Sequence, residues 1–193
     1  MISKDREYRS FVELRAAGED DKATVEGYAA VFDTPTVMYS VDGIDYKEEI
    51  ATGAFNSTEM SDVVMNYNHA GKPVARTKNG TLTLSVDSRG LKVSADLSGT
   101  EEGRRLYEEI KGGYIDKMSF AFKVSEDAYN SDTHTRRITG IKRLFDVAAV
   151  DRPAYDATEI SARSYFSAEA ERAKAEAEKR AAMKLKIKIL SEV

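Results

Sequence analysis

The chain has 193 residues, of which 41% are hydrophobic and 32% charged, with 29 Lys+Arg against 33 Asp+Glu and a formal net charge of −4. That is room for one ordinary core, or one domain with an appendage, under a highly charged surface, and global disorder is a poor reading. With 0 Cys there is no disulfide framework, thiolate metal site or cysteine nucleophile; with 2 His, His69 and His134, a three-histidine catalytic zinc site within one chain is excluded.

The net charge gives no broad cationic field, so nucleic acid is not an expected partner. Met1 to Ser10 reads MISKDREYRS, without the basic start and apolar run of a secretory signal, and no stretch approaches the ~20 apolar residues of a membrane helix. The expectation is therefore a protein with no membrane partner.

From Tyr8 to about Ile160 the sequence reads as many short strands divided by turn residues. Ser10 to Leu14, Thr24 to Phe32 and Asp62 to Tyr67 are strand candidates. Thr81 to Val86 (TLTLSV) and Leu91 to Leu97 (LKVSADL) both alternate, and the turn Asp87-Ser-Arg-Gly90 between them predicts a hairpin. Thr100 to Gly113 (TEEGRRLYEEIKGG) predicts an internal helix, with Thr100 as N-cap, glutamates in the first turn and a glycine pair at the end. Lys117 to Val124 and Arg136 to Val150, the latter broken near Gly140, are further strands. The fold class is α+β, mainly β.

Composition changes at Ser167. The segment to Val193 holds 7 Ala, 7 Lys+Arg and 5 Asp+Glu without Gly or Pro, a local charge of +2 on a body of opposite sign. Ser167 to Ala182 is a helix candidate with Ser167 as N-cap. After Met183, Leu185, Ile187 and Ile189 alternate with lysines at strand spacing, which predicts a segment able to add to a sheet edge.

On the Lys117 to Val124 strand, Met118, Phe120, Phe122 and Val124 share one face, which predicts core. Ser119 then points the other way beside Ala121, whose small side chain leaves room for a group to approach the hydroxyl. His69 stands at or just past the end of a strand, before the Gly71-Lys-Pro73 turn, and an imidazole can take a serine proton near neutral pH. His134 lies in a polar hairpin tip, where a solvated side chain is expected. Asp146 interrupts the apolar run Leu144 to Val150, where a charge needs a partner or a solvent opening, and it is the candidate to orient the imidazole; Asp151, Asp156 and Glu159 are its rivals.

Gly27-Tyr-Ala-Ala-Val-Phe-Asp33, Glu49-Ile-Ala-Thr-Gly-Ala-Phe55, Asn68-His69, Asp87-Ser-Arg-Gly-Leu91, the helix ending Gly112-Gly113, Met118-Ser-Phe-Ala-Phe122 and Val150-Asp-Arg-Pro-Ala-Tyr155 follow one another in an order that resembles the prohead proteases of tailed bacteriophages. The resemblance spans about Tyr8 to Ile160. It implies a capsid-maturation serine protease with a fold like that of the herpesvirus assemblins, a compact β-barrel-like domain with a few helices. With the composition change at Ser167, the expected division is a protease domain over 1–166 and an Ala-rich helical tail over 167–193. It implies Ser119 as nucleophile and His69 as general base. The third position often carries glutamate in a motif that matches Leu144-Phe-Asp-Val147, so Asp146 stands as a shorter replacement, and Ala121 replaces a common glycine. The implied substrates and partners are scaffold segments, extensions of the major capsid protein and other copies of the chain, inside the assembling prohead in the host cytoplasm, with no cofactor and no metal. A non-catalytic assembly factor is the alternative. Metal-assisted hydrolysis is the third reading, and the carboxylates show no ligand spacing for it.

Overall fold

A computed structural model describes residues 6–12, 14–17, 23–151 and 155–191. Along the chain it places β1 (Glu7–Val12), β2 (Leu14–Ala17), β3 (Thr24–Val31), β4 (Thr36–Val41), β5 (Ile44–Ile50), β6 (Val64–Tyr67), β7 (Ala70–Arg76), β8 (Leu82–Val86), β9 (Gly90–Asp96), α1 (Glu101–Lys111), β10 (Lys117–Asn130), β11 (Thr135–Val150) and α2 (Tyr155–Ser191). The fold is α+β and mainly β, as the turn spacing predicts. One sheet has seven strands and runs β1-β10-β11-β5-β4, with β6 on β11 and β7 on β6; the other runs β2-β3-β9-β8. Among the described residues neither sheet closes on itself, so the β-rich domain is two open sheets around a shared core and not a closed barrel.

The expected strand from Ser10 to Leu14 is in fact a crossing point. β1 pairs with β10 in the large sheet, whereas β2, beginning at buried Leu14, pairs with β3 in the small one. Phe120, Phe122 and Val147 from the large sheet and Val25, Leu91 and Val93 from the small one are all fully buried between them. Each such side chain contributes about 1.5–3 kcal/mol by leaving water, which makes this layer the main source of stability. Helix α1 joins it through Leu106, Tyr107 and Ile110, and starts as its sequence predicts, with the Thr100 hydroxyl accepting the Gly103 N–H at 2.9 Å.

The β10–β11 hairpin is the spine of the large sheet. The break expected near Gly140 is a bulge rather than an end: the register shifts opposite Glu126, and a Cβ on Gly140 would lie 2.7 Å from the Ser125 hydroxyl oxygen. Beyond its pairing with β10, β11 offers its other edge to two strands in turn. Thr135 to Ile138 pair in parallel with β5, and Asp146 to Ala149 in parallel with β6. That second pairing brings the loop after β6 to the upper end of β10 and β11.

A buried charge network ties four strands, β1, β5, β10 and β11, to the first part of α2. Arg9 on β1 and Arg136 on β11 share Glu48 on β5, with Arg9 Nη2 2.6 Å and Arg136 Nη1 3.0 Å from its Oε2. Arg136 also donates to Glu7 at 2.7 Å and to Asp127 at 2.6 Å, and it stacks 4.1 Å from the Tyr165 ring centroid. Burial, reinforced by the charge of Asp127, pushes the Tyr165 phenol up to about 12. Next to it, Phe166 is buried among Tyr39, Tyr46 and Tyr129.

Helix α2 continues unbroken from Tyr155 to Ser191. This corrects two expectations: Ser167 lies inside the helix instead of capping it, and the backbone of Leu185 to Ile189 is helical instead of extended. Once a helix is nucleated, adding another Lys, Leu or Ala residue costs little, whereas three alternating apolar residues hold a strand only against a sheet edge. From Ser167 to Lys184 every residue is exposed except half-buried Glu169.

Candidate active site

Strand alternation does most of the positioning. Met118, Phe120 and Phe122 of β10 face the shared core, and Ser119 and Ala121 face away from it. Registers across the large sheet set Ser10, Ser119, Ala148 and Asn66 in one row, and Tyr8, Ala121, Asp146 and Val64 in the next. Ser119 and Asp146 thus share a face as diagonal neighbours on adjacent strands. Side chains so placed start roughly 7–8 Å apart, a gap that one imidazole with a hydrogen bond at each nitrogen can bridge.

His69 does so. It lies in the turn itself, not before it: Tyr67 pairs with Ala70, and the two residues between, Asn68 and His69, have φ of 50° and 57°. Positive φ at both central positions is the requirement of the tightest hairpin turn, which asparagine tolerates and histidine resists at about 1–2 kcal/mol. The His69 ring makes two hydrogen bonds that offset this cost. Nδ1 lies 2.5 Å from Asp146 Oδ1 and Nε2 lies 2.7 Å from Ser119 Oγ. With the proton on Nδ1, the carboxylate accepts and Nε2 is free to accept from the serine hydroxyl.

Three neighbours brace this chain of hydrogen bonds. The edge of the Tyr8 ring meets His69 with centroids 4.7 Å apart. Asn68 Oδ1 accepts from the Asp151 backbone N–H at 3.3 Å, tying the turn to the end of β11. Arg6 places Nη1 3.6 Å from the other carboxylate oxygen of Asp146, while its guanidinium lies 4.1 Å from the Phe145 ring centroid. Local periodicity contains no sign of Arg6 or Tyr8, because both reach the site through pairing of β1 with a strand more than a hundred residues later.

The rivals of Asp146 do not reach the imidazole or fall outside the described residues. Asp151 is exposed and its carboxylate hydrogen-bonds Tyr67, whose phenol is pushed up by partial burial and by that contact. Asp156 and Glu159 are in the first turns of α2, where side chains lie outside the described residues. His134 is not solvated as expected: it is half-buried, with Nδ1 3.0 Å from the Tyr129 hydroxyl and its ring 5.0 Å from Tyr46. It belongs to the aromatic cluster at the far end of the hairpin.

One further expectation is corrected. Ser119 is on the anticipated face, but that face is closed: Ser119 and Ala121 are 0% exposed and Asp146 is 4% exposed. Alternation determines which way a side chain points and says nothing of what the rest of the chain lays over it. Among the described residues no group of three or more His, Asp or Glu is arranged to hold a metal ion, and no helix is long and apolar enough to cross a membrane.

A hydroxyl, an imidazole and a carboxylate hydrogen-bonded in series are the chemical equipment of a serine hydrolase. The family model described as caudovirus prohead serine protease matches residues 10–173, and the chain belongs to that family. It is a serine protease of phage capsid maturation, a class that works on capsid or scaffold proteins in the assembling prohead within the host cell. No curated protein and no solved structure matches the chain.

Proposed function

We propose that Ser119 is the nucleophile, His69 its general base and Asp146 the carboxylate that orients His69, in an endopeptidase that cleaves scaffold segments, capsid-protein extensions and its own chain. The observation that carries this reading is the pair of contacts at one ring, 2.7 Å from Nε2 to Ser119 and 2.5 Å from Nδ1 to Asp146. His69 takes the hydroxyl proton as Oγ attacks a peptide carbonyl, then returns it to the leaving amine, giving an acyl-enzyme that water hydrolyses by the same steps in reverse. Asp146 keeps the proton on Nδ1 and stabilises the imidazolium formed at attack, and Arg6 neutralises its outer oxygen. Since Ser119 is buried, a substrate carbonyl reaches it only when the groups above it shift.

Residues 1–166 act in this reading as the protease body and 167–193 as a docking tail, presented on the exposed part of α2. High local concentration inside a shell replaces tight intrinsic affinity for substrate. The test is co-expression with the capsid and scaffold proteins of the same phage, followed by mass measurement of every fragment. Ser119→Ala and His69→Ala should each remove processing, a loss on the order of 10⁴ to 10⁶ in turnover, while His134→Ala retains it. Normal fragments from folded Ser119→Ala protein would refute the assignment and favour a non-catalytic assembly role.

A further inference from the structure

Among the described residues, Asn66 carries the one buried side-chain polar atom that the fold leaves without a partner. The residue is 8% exposed, and its Oδ1 is buried with no hydrogen bond to another group of the protein. Such atoms are rare in folded proteins, because water is given up and nothing replaces it. Asn66 is also not far from the chemistry: it occupies the same cross-strand row as Ser119, on the same face of the sheet, with Ala148 between them. In that row the methyl group of Ala148 alone separates the two.

The strand geometry isolates this position further. Met65 pairs with Ala75 and Tyr67 with Ala70, so β7 takes a longer path past the single β6 residue Asn66. Irregular pairing of this kind frequently re-aims a side chain beside an active site.

We infer that Asn66 is a peptide-binding residue whose side-chain amide engages the main chain of the substrate a few residues from the scissile bond. The inference rests on Ser119 as nucleophile. Two strand spacings put Asn66 roughly 9–10 Å from Ser119. An oxyanion donor must lie about 3 Å from the reacting oxygen, so Asn66 is too distant for that task. An extended peptide advances about 3.3 Å per residue, so once the groups over this closed face shift to admit substrate, a chain crossing the row from Ser119 over Ala148 presents a backbone N–H or C=O to Asn66 two or three residues along. A carboxamide carries an acceptor and two donors, the complement of a peptide group in either orientation of the amide. Its neighbours in the face, Ala148 and Val64, offer no charge for reading a substrate side chain.

Because main-chain binding is indifferent to sequence, the test separates it from side-chain selection. Wild type, Asn66→Leu and Asn66→Ala are each given a random decapeptide library, with cleavage rates read by mass spectrometry, and each is separately treated with a small fluorophosphonate that carries no peptide. The expected result for either variant is a fall of about tenfold in all cleavage rates with the cleavage preference unchanged, an unchanged rate of Ser119 labelling, and a melting temperature for Asn66→Leu at or above that of wild type. If Asn66→Leu fails to fold through crowding, Asn66→Ala alone decides. Unchanged cleavage rates, loss of only some peptide sequences, or parallel loss of labelling would each overturn the inference. Absence of labelling in wild type would instead refute the nucleophile assignment on which it rests.

Discussion

Asp146 accepts from His69 through one oxygen and faces Arg6 through the other, so replacing it by asparagine alters charge and tautomer without altering size. In Asp146→Asn the amide NH₂ favours the wrong imidazole tautomer, and peptide cleavage should fall by up to ~10⁴. Asp146→Glu should recover part of that loss, whereas Asp151→Asn should cost far less, because the Asp151 backbone N–H holds Asn68 and its carboxylate hydrogen-bonds Tyr67, while the carboxylate on His69 Nδ1 is that of Asp146. Steady-state cleavage rates of the three variants at one pH, with equal thermal stability confirmed, check this; collapse in Asp151→Asn with a near wild-type Asp146→Asn would reverse the assignment. At this scale the amino-acid sequence is informative where chemistry and position coincide. A charge inside Leu144 to Val150 demands a partner, and the partner is His69. Arg6 and Asn66 are not legible in the same way, because their meaning arises from sheet registers that no local pattern encodes.

Strand β1 carries both Tyr8 toward His69 and the charge network on Arg9, so the acid stability of that network bears on the site. Burial acting alone would raise the Glu7 carboxyl, but the charges of Arg9 and Arg136 and their hydrogen bonds outweigh it and hold the group below its ordinary value of 4.5. A depressed carboxylate contributes stability that is present above its unfolded value and lost as pH falls through the folded one. Glu7→Gln should therefore destabilise by roughly 1–3 kcal/mol at pH 7, and the gap from wild type should narrow below pH 4.5, measured by urea unfolding at several pH values. A gap that stays constant down to the acid transition would contradict the role of Glu7. Among elements, those with self-contained signals are legible: the β8–β9 hairpin, and α1 with its Thr100 cap. Strands β4 and β5 are not, although their turn, Asp42-Gly43, has φ of 52° and 79° and is a strong hairpin signal. Their flanking residues are largely exposed and do not alternate cleanly.

The whole molecule joins an anionic two-sheet body to a long, largely exposed helix that carries the opposite charge. Among the described residues, those that anchor α2 to the body are in its first part: Ala162, Tyr165 and Phe166. Truncation after Phe166 should thus leave cleavage of a short peptide unchanged and reduce incorporation into assembling shells, counted by quantitative immunoblotting of purified proheads; packaging at the normal level would remove the docking role. The most direct measurement of the central claim is peptide mapping by mass spectrometry after fluorophosphonate treatment of the full chain. Ser119 activated by His69 predicts a single adduct on the peptide containing Ser119, abolished in His69→Ala and retained in His134→Ala. An adduct on another serine, or labelling of Ser119 that persists unchanged in His69→Ala, would contradict it.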